Sequence, residues 1–291
     1  MTQKELAWES KLVLLAVLPF VGADVVLETH YWAQQAQAVA IWTLGLSALL
    51  GLVTWKLRAA TPGAAAAGAA ITACLMYSTV DFPYVPWRTA LPAVLAVSLL
   101  AFAATSAGRA QKERLGTAER RKGRSAAQVT ANLGVAALVA SPFVQLWLKS
   151  SHPWALDVSG AESILAPALA ALAEAAADTV SSEIGQVAGG RPRMITTLRL
   201  VEPGTDGAVS LAGTLAGMVA AAAVAGLETA ALGGARRLFW TAGAGAVFGL
   251  LFDSLLGATL EKRGWLNNDA VNFLSTASAA GVALVVLAVV G

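Results

Sequence analysis

The sequence predicts an all-α protein, a polytopic transmembrane helical bundle of about nine spans, with eight and ten as the bounds. Three observations predict it. Charged residues make up 13% of the 291 residues and apolar residues 57%, whereas a soluble domain is about a quarter charged because its surface must be wetted. Apolar runs recur at roughly the 20-residue length that crosses a bilayer as a helix. Lys and Arg sort to alternate sides of those runs, as the positive-inside rule requires. The same composition excludes disordered, collagenous and disulfide-scaffold classes.

The first run, 12–27, is short and interrupted by Asp24. No small-x-small cleavage site follows it, so a membrane helix fits better than a signal peptide. Further runs lie at 36–55, 62–80, 87–107, 129–148, 162–182, 209–232, 238–260 and 270–290. Most of the nine tryptophans fall near run ends, among them Trp32, Trp55, Trp87, Trp147, Trp154 and Trp265, the headgroup-depth belt that amphipathic rings form. With the N-terminus in the cytoplasm, 16 of 20 basic residues sort to the cytoplasmic side; Arg88, Lys149, Arg236 and Arg237 do not. The Arg236-Arg237 pair is discordant and leaves room for a re-entrant or differently bounded seventh or eighth segment. Residues 1–110 read as N-terminal membrane helices, 111–124 as a basic cytoplasmic loop and 125–291 as the motif-bearing catalytic region, all within one integral membrane domain.

Alanine and glycine dominate the runs. Gly213 with Gly217, Gly245 with Gly249, and Ala64 with Gly68 have the spacing that lets helix backbones approach closely in lipid. These positions are expected to pack rather than to react. A net charge of +2 gives no reason to expect a nucleic-acid partner, and a single Cys74 forbids an internal disulfide. His30 and His152 stand far apart, no HExxH occurs, and no Walker A loop is present.

The informative residues are those that do not belong in hydrocarbon. A charged carboxylate at the bilayer centre costs about 2.5–3.5 kcal/mol even on insertion scales. Asp24, Glu174, Asp178 and Asp253 read as embedded, with Glu183 at a run exit. For Asp24 an interhelical hydrogen bond and a functional role are equally open. Glu174, Asp178 and Ser182 recur every fourth residue, so they share a helix face. Paired carboxylates in apolar surroundings cannot both ionise cheaply without a cation. Mg²⁺ is the usual one where phosphates are handled, which nominates Asp178, Glu183 and Asp253 as metal ligands.

A polar cytoplasmic loop follows, with Arg191, Arg193, Thr197, Arg199, Gly204, Thr205, Gly207 and Ser210. Glycine-rich backbone, arginine forks and a helix N-terminus suit phosphate oxygens. Gln128 and Asn132 enter one run together, and Asp269 with Asn272 forms a second polar wall near Asn268. The basic run from Arg109 to Arg124 reads as a topology signal that also touches anionic membrane lipid.

At these residues the chain resembles a known family. Gln128-Val129-Thr130-Ala131-Asn132-Leu133-Gly134, the stretch from Asp178 to Gly185, Gly207-x-Val209-Ser210-Leu211-x-Gly213-Thr214, Asp253-Ser254-Leu255-Leu256-Gly257 and Asn268-Asp269-x-Val271-Asn272 resemble the DUF92 integral membrane family in five ordered blocks. The likeness runs from about Arg124 to the end; the first 110 or so residues match in hydropathy only. The best-understood branch is the phytyl-phosphate kinase of tocopherol synthesis, beside animal members of the TMEM type. The resemblance implies transfer of a phosphoryl group from CTP or another nucleoside triphosphate to an isoprenyl or phytyl monophosphate. Asp178, Glu183, Asp253 and Asp269 would be the catalytic acids. More distantly the chain is similar to CTP-dependent phytol and dolichol kinases, although their Gly-rich segment carries a lysine with no counterpart in Gly204-Thr205-Asp206-Gly207. Two other readings share these residues: a proton-coupled transporter or lipid carrier, and a lipid-phosphate cytidylyltransferase. A homo-oligomer is left open.

Overall fold

The computed structural model describes residues 6–118, 123–151, 162–188 and 190–290. Among them are eleven helices and one two-stranded ladder, so the all-α polytopic class holds. The helices are α1 (Trp8–Gln35), α2 (Gln37–Lys56), α3 (Pro62–Ser78), α4 (Leu91–Ser106), α5 (Arg109–Leu115) and α6 (Ala126–Ala140). There follow α7 (Pro142–Ser151), α8 (Glu162–Gly185), α9 (Leu211–Ala231), α10 (Arg236–Leu256) and α11 (Asn268–Val290). The strands β1 (Arg193–Met194) and β2 (Ala208–Val209) pair antiparallel.

Five of the described helices are long and apolar enough to cross a membrane: α1, α2, α9, α10 with the π turn Gly257–Glu261, and α11. A sixth arises if α4 and α5, bent by 65° at their junction, count as one span. Each expected run holds a helix, but α3 and α6, with 17 and 15 residues, fall short of the roughly 20 residues that a full crossing takes. The expected 129–148 run is broken. Its helix stops at Ser141, whose ψ of 135° is extended, because the residue before Pro142 is pushed out of the helical region. The first helix is longer than the sequence suggested. It runs 28 residues through Pro19 and Asp24; Asp24 Oδ1 accepts from Ser141 Oγ at 3.1 Å, while its Oδ2 is buried without a partner. Both α9 and α10 are long and apolar enough to cross a membrane, and the Arg236-Arg237 pair begins α10. Arg237 Nη2 donates to Leu287 O of α11 at 2.7 Å.

The centre of the bundle is α8, against which α4, α6, α9, α10 and α11 all pack. A helix buried on every side needs small apolar residues, and α8 supplies alanines at 166, 168, 170, 171, 173, 175, 176 and 177, all buried. The Gly213/Gly217 pair explains how α9 comes so close. A Cβ on either would stand 2.6 or 2.7 Å from Ser181 O or Ala177 O of α8, so the expected packing role is met. Around this core the outward residues are large and apolar, including Leu211, Val289, Trp87 and Trp240, as lipid contact demands. Trp154, His152 and residues 119–122 of the basic run lie outside the described residues.

Candidate functional site

Helices α6, α8, α10 and α11 end together beneath the 203–210 loop, enclosing a polar cavity of about 320 Å³. Asp178 on α8 and Asp253 on α10 both line it, near enough for each carboxyl group to act electrostatically on the other. One turn deeper lies Glu174, 1% exposed. It is accommodated because Gly249 has no side chain: a Cβ would come within 2.6 Å of Glu174 Cγ. Asp253 Oδ2 and Glu174 Oε1 are buried and accept no hydrogen bond. Clustered carboxylates with orphaned oxygens are stabilised by a shared proton or by a cation.

The opposite wall is amide and hydroxyl. Asn272 Nδ2 on α11 donates to Asn132 Oδ1 on α6 at 3.4 Å, and Asn132 Nδ2 donates to Gln128 O at 2.8 Å. The loop closes the mouth with Gly204, Thr205, Asp206 and Gly207. Ser210 lines the cavity too, but its Oγ accepts from Gly213 N at 3.1 Å and caps α9. Gln128 has a similar second duty. It forms a capping box with Ser125: Ser125 N donates to Gln128 Oε1 at 2.7 Å and Gln128 N to Ser125 Oγ at 3.2 Å. The Ser-x-x-Gln spacing is a readable helix-start signal, so Gln128 is both cavity lining and cap.

Glu183 lines the cavity yet is engaged elsewhere. Lys112 Nζ on α5 lies 2.6 Å from Glu183 Oε2, and Thr105 Oγ1 donates to Oε1 at 3.1 Å. The lysine is wholly buried and also donates to Ala104 O at 2.7 Å and Thr105 O at 3.3 Å, at the C-terminal end of α4. A cation is favourable there, because the last carbonyls of a helix carry partial negative charge. Glu183 therefore ties the α4–α5 elbow to α8. Nothing in the sequence set Lys112 apart from the other basic residues around it.

The proposed phosphate-binding arginines are not gathered. Arg191, Arg193, Thr197 and Arg199 are exposed on the loop, away from the cavity, and Arg193 Nη1 donates to Leu198 O at 2.8 Å. Asp269 is likewise outside it and accepts from Ser10 Oγ of α1 at 2.5 Å. The cation that does line the cavity is Arg124. Its Nη2 donates to Thr179 Oγ1 at 3.4 Å, and its charge acts on Asp178. The sequence placed Arg124 beside the site motif without assigning it a role. Among the described residues the lining holds five carboxylates, Asp178, Glu183, Asp206, Asp253 and Glu261, against this one guanidinium.

Among the described residues no three His, Cys, Asp or Glu side chains group tightly enough to cage a metal. The Asp178–Asp253 pair fits a different mode of binding. Mg²⁺ commonly takes one or two carboxylates and completes its shell with water and substrate phosphates.

A second cavity, about 440 Å³, lies between α2, α3, α4 and α6. Small and apolar residues such as Gly51, Ala65, Gly68 and Ala101 dominate its walls, and it shares Arg124 and Asn132 with the polar cavity.

The profile of the family described as Integral membrane protein DUF92 matches residues 45–280. An uncharacterised membrane protein of Methanocaldococcus jannaschii is 44% identical over 108 residues, 37% of this chain and 45% of that protein. An uncharacterised membrane protein of Synechocystis is 34% identical over 203 residues, 68% of this chain and 73% of that protein. Protein VTE6, chloroplastic, of Arabidopsis thaliana is 33% identical over 214 residues, 66% of this chain and 56% of that protein. The chain thus spans under half of the first relative and little over half of the third. No solved structure matches.

Proposed function

The chain belongs to the DUF92 family of integral membrane proteins, and from that premise we propose that it is a membrane-embedded kinase. It transfers the terminal phosphoryl group of CTP or another nucleoside triphosphate to an isoprenyl or phytyl monophosphate, giving the diphosphate. The observation that carries this reading is the half-buried Asp178–Asp253 pair, with Asp253 Oδ2 buried and unpartnered, in a cavity that opens beside an apolar one.

In the transfer, an oxygen of the acceptor monophosphate attacks the γ-phosphorus and a new P–O bond forms. The bond between that phosphorus and the β–γ bridging oxygen breaks, and its electron pair leaves with the nucleoside diphosphate. The acceptor is already a phosphate, so no strong general base is needed; alignment and charge neutralisation are the protein's work. Asp178 and Asp253 would hold Mg²⁺, which when bound neutralises charge on the phosphates. An acidic cavity repels a bare triphosphate, so binding of the nucleotide would depend on the divalent ion. The loop amides of residues 204–207 and the Asn132–Asn272 wall would orient the donor.

The same reading places nine spans across the membrane, with α3 and α6 as short ones held inside the bundle. The N-terminus and the cavity then face the cytoplasm, where the basic residues concentrate.

The test is direct. Purified protein is given geranylgeranyl or phytyl monophosphate, each of the four nucleotides, and Mg²⁺ or EDTA, and the products are followed by mass spectrometry. Lipid diphosphate and nucleoside diphosphate are expected, in the Mg²⁺ arm only. Release of pyrophosphate with a nucleotidyl-lipid would identify a cytidylyltransferase instead. Lipid or proton flux in proteoliposomes without nucleotide would identify a transporter.

A further inference from the structure

The two cavities differ in charge as well as in polarity. Among the described residues, the apolar one is lined by Arg58, Arg109 and Arg124 against Glu113, which is paired to Arg109 at 3.3 Å. An anion with an apolar chain suits that distribution, and a bare cation does not. Its walls come from α2 and α3 on one side and α4 on the other. Contacts between α3 and α4 are sparse compared with those of α3 to α2 or α6, so the two walls are not closed against each other.

Arg124 is held firmly at the junction. Its N–H donates to Ala59 O at 2.9 Å and its carbonyl accepts from Thr61 N at 3.0 Å, a two-bond bridge to the α2–α3 connection. Close approach of the two segments depends on Gly123: φ there is +78°, and a Cβ would stand 2.4 Å from Ala59 C. Immediately after Arg124 the Ser125 capping box fixes the start of α6. The backbone is thus set on both sides of the arginine, and the side chain serves both cavities.

We propose that Arg124 binds the phosphate of a lipid phosphomonoester whose apolar chain enters between α2 and α4 and lies in the small-residue cavity, with Gly68 and Ser98 on opposite walls limiting the chain it takes. The inference rests on the kinase reading for the identity of the reaction, but not for the binding itself. Charge complementarity at the arginine end and continuity with the acidic cavity carry it. The acceptor phosphate is then delivered at the boundary between a basic and an acidic chamber, facing the nucleotide across Asp178. At Gly68 a Cβ meets only Val129 Cγ1, at an ordinary 3.6 Å, so a larger side chain there would grow into the cavity rather than into a neighbour.

The experiment measures binding without nucleotide, in nanodiscs of phosphatidylcholine, by native mass spectrometry. The probes are geranylgeranyl monophosphate, geranylgeraniol and phosphatidic acid. Wild type should bind the prenyl monophosphate at least about tenfold more tightly than the alcohol, the discrimination one charge-assisted contact supplies. Arg124→Ala should erase that preference. Gly68→Leu and Ser98→Leu, which fill the cavity from different helices, should each weaken the twenty-carbon ligand more than dimethylallyl monophosphate. Preferential binding of phosphatidic acid would assign the cavity to a bilayer lipid and overturn the acceptor assignment. Equal binding of monophosphate and alcohol, or unchanged binding in both filled variants, would overturn the proposal. Binding as described with no phosphoryl transfer on adding any nucleotide and Mg²⁺ would leave the lipid site standing and sink the kinase reading alone.

Discussion

The polar cavity and the apolar cavity meet at Arg124 and Asn132, yet they are built on opposite principles. The first gathers, among the described residues, five carboxylates and one arginine at the ends of four tightly packed helices. The second is a gap among α2, α3, α4 and α6, of which α3 and α4 make few contacts with each other, lined largely by small and apolar residues together with arginines. Tight packing around α8 is what holds Asp178 and Asp253 on facing helices at the cavity wall. Loose packing between α3 and α4 is what leaves room for a chain. The two chambers would therefore accept ligands of different character: a metal–nucleotide complex that only an acidic site attracts, and an amphiphile that only a basic-mouthed apolar slot suits.

Four substitutions sharpen or break this contrast, and the largest effect is expected where the chambers are held together. Lys112→Met leaves Glu183 buried without its cation, which costs about 3–5 kcal/mol. The thermal midpoint should fall steeply, and Lys112→Met with Glu183→Gln should recover most of it. If Glu183 is instead a metal ligand, the double variant stays folded but loses Mg²⁺ dependence. Asp178→Asn follows. It keeps shape and removes the charge facing Asp253, so transfer should drop by about 10²–10³-fold, as for other preorganised charge-stabilising groups, with the helical content unchanged. Full activity in that variant would remove Asp178 from the mechanism.

Gln128→Ala should cost about 1 kcal/mol of stability through the lost capping box, a fall of about 2–4 °C at this size. A large rise in nucleotide KM would reverse its assignment as a cap. The smallest effect belongs to Arg191→Ala, since surface changes away from such features stay within about 0.5 kcal/mol. A tenfold rise in nucleotide KM would mean that the exposed loop closes over the donor.

Legibility in the sequence followed the same divide. The acidic chamber was visible because Asp178 and Asp253 are anomalous: a carboxylate in an apolar run is costly enough to advertise itself. Helix positions were visible for the complementary reason, since apolar runs are long and punctuated. The break at Ser141-Pro142 was also present in the text, but an apolar run continuing past a proline hides it. Arg124 and Lys112 were not legible as site and anchor. Both sit in a run of basic residues that hydropathy treats as solvated, and only the fold shows one at a cavity junction and the other wholly buried. Glu228 is a similar case: it is buried near the end of α9, where it accepts from Ala93 N at the start of α4 at 3.1 Å. The exposed arginines at 191, 193 and 199 drew attention for their composition, yet nothing in their spacing said whether they point into a site.

The central claim, that two chambers divide the two substrates, is tested most directly by crossing two variants with two ligands. Wild type, Asp178→Asn and Arg124→Ala are reconstituted in nanodiscs, and binding of Mg²⁺ with CTP and of geranylgeranyl monophosphate is measured separately. The account predicts a crossed pattern. Asp178→Asn should lose the metal-nucleotide and keep the lipid phosphate; Arg124→Ala should weaken the lipid phosphate by about tenfold or more while the metal-nucleotide changes much less. Variants that lose both ligands in parallel while remaining folded would contradict it, because one undivided site would then serve both.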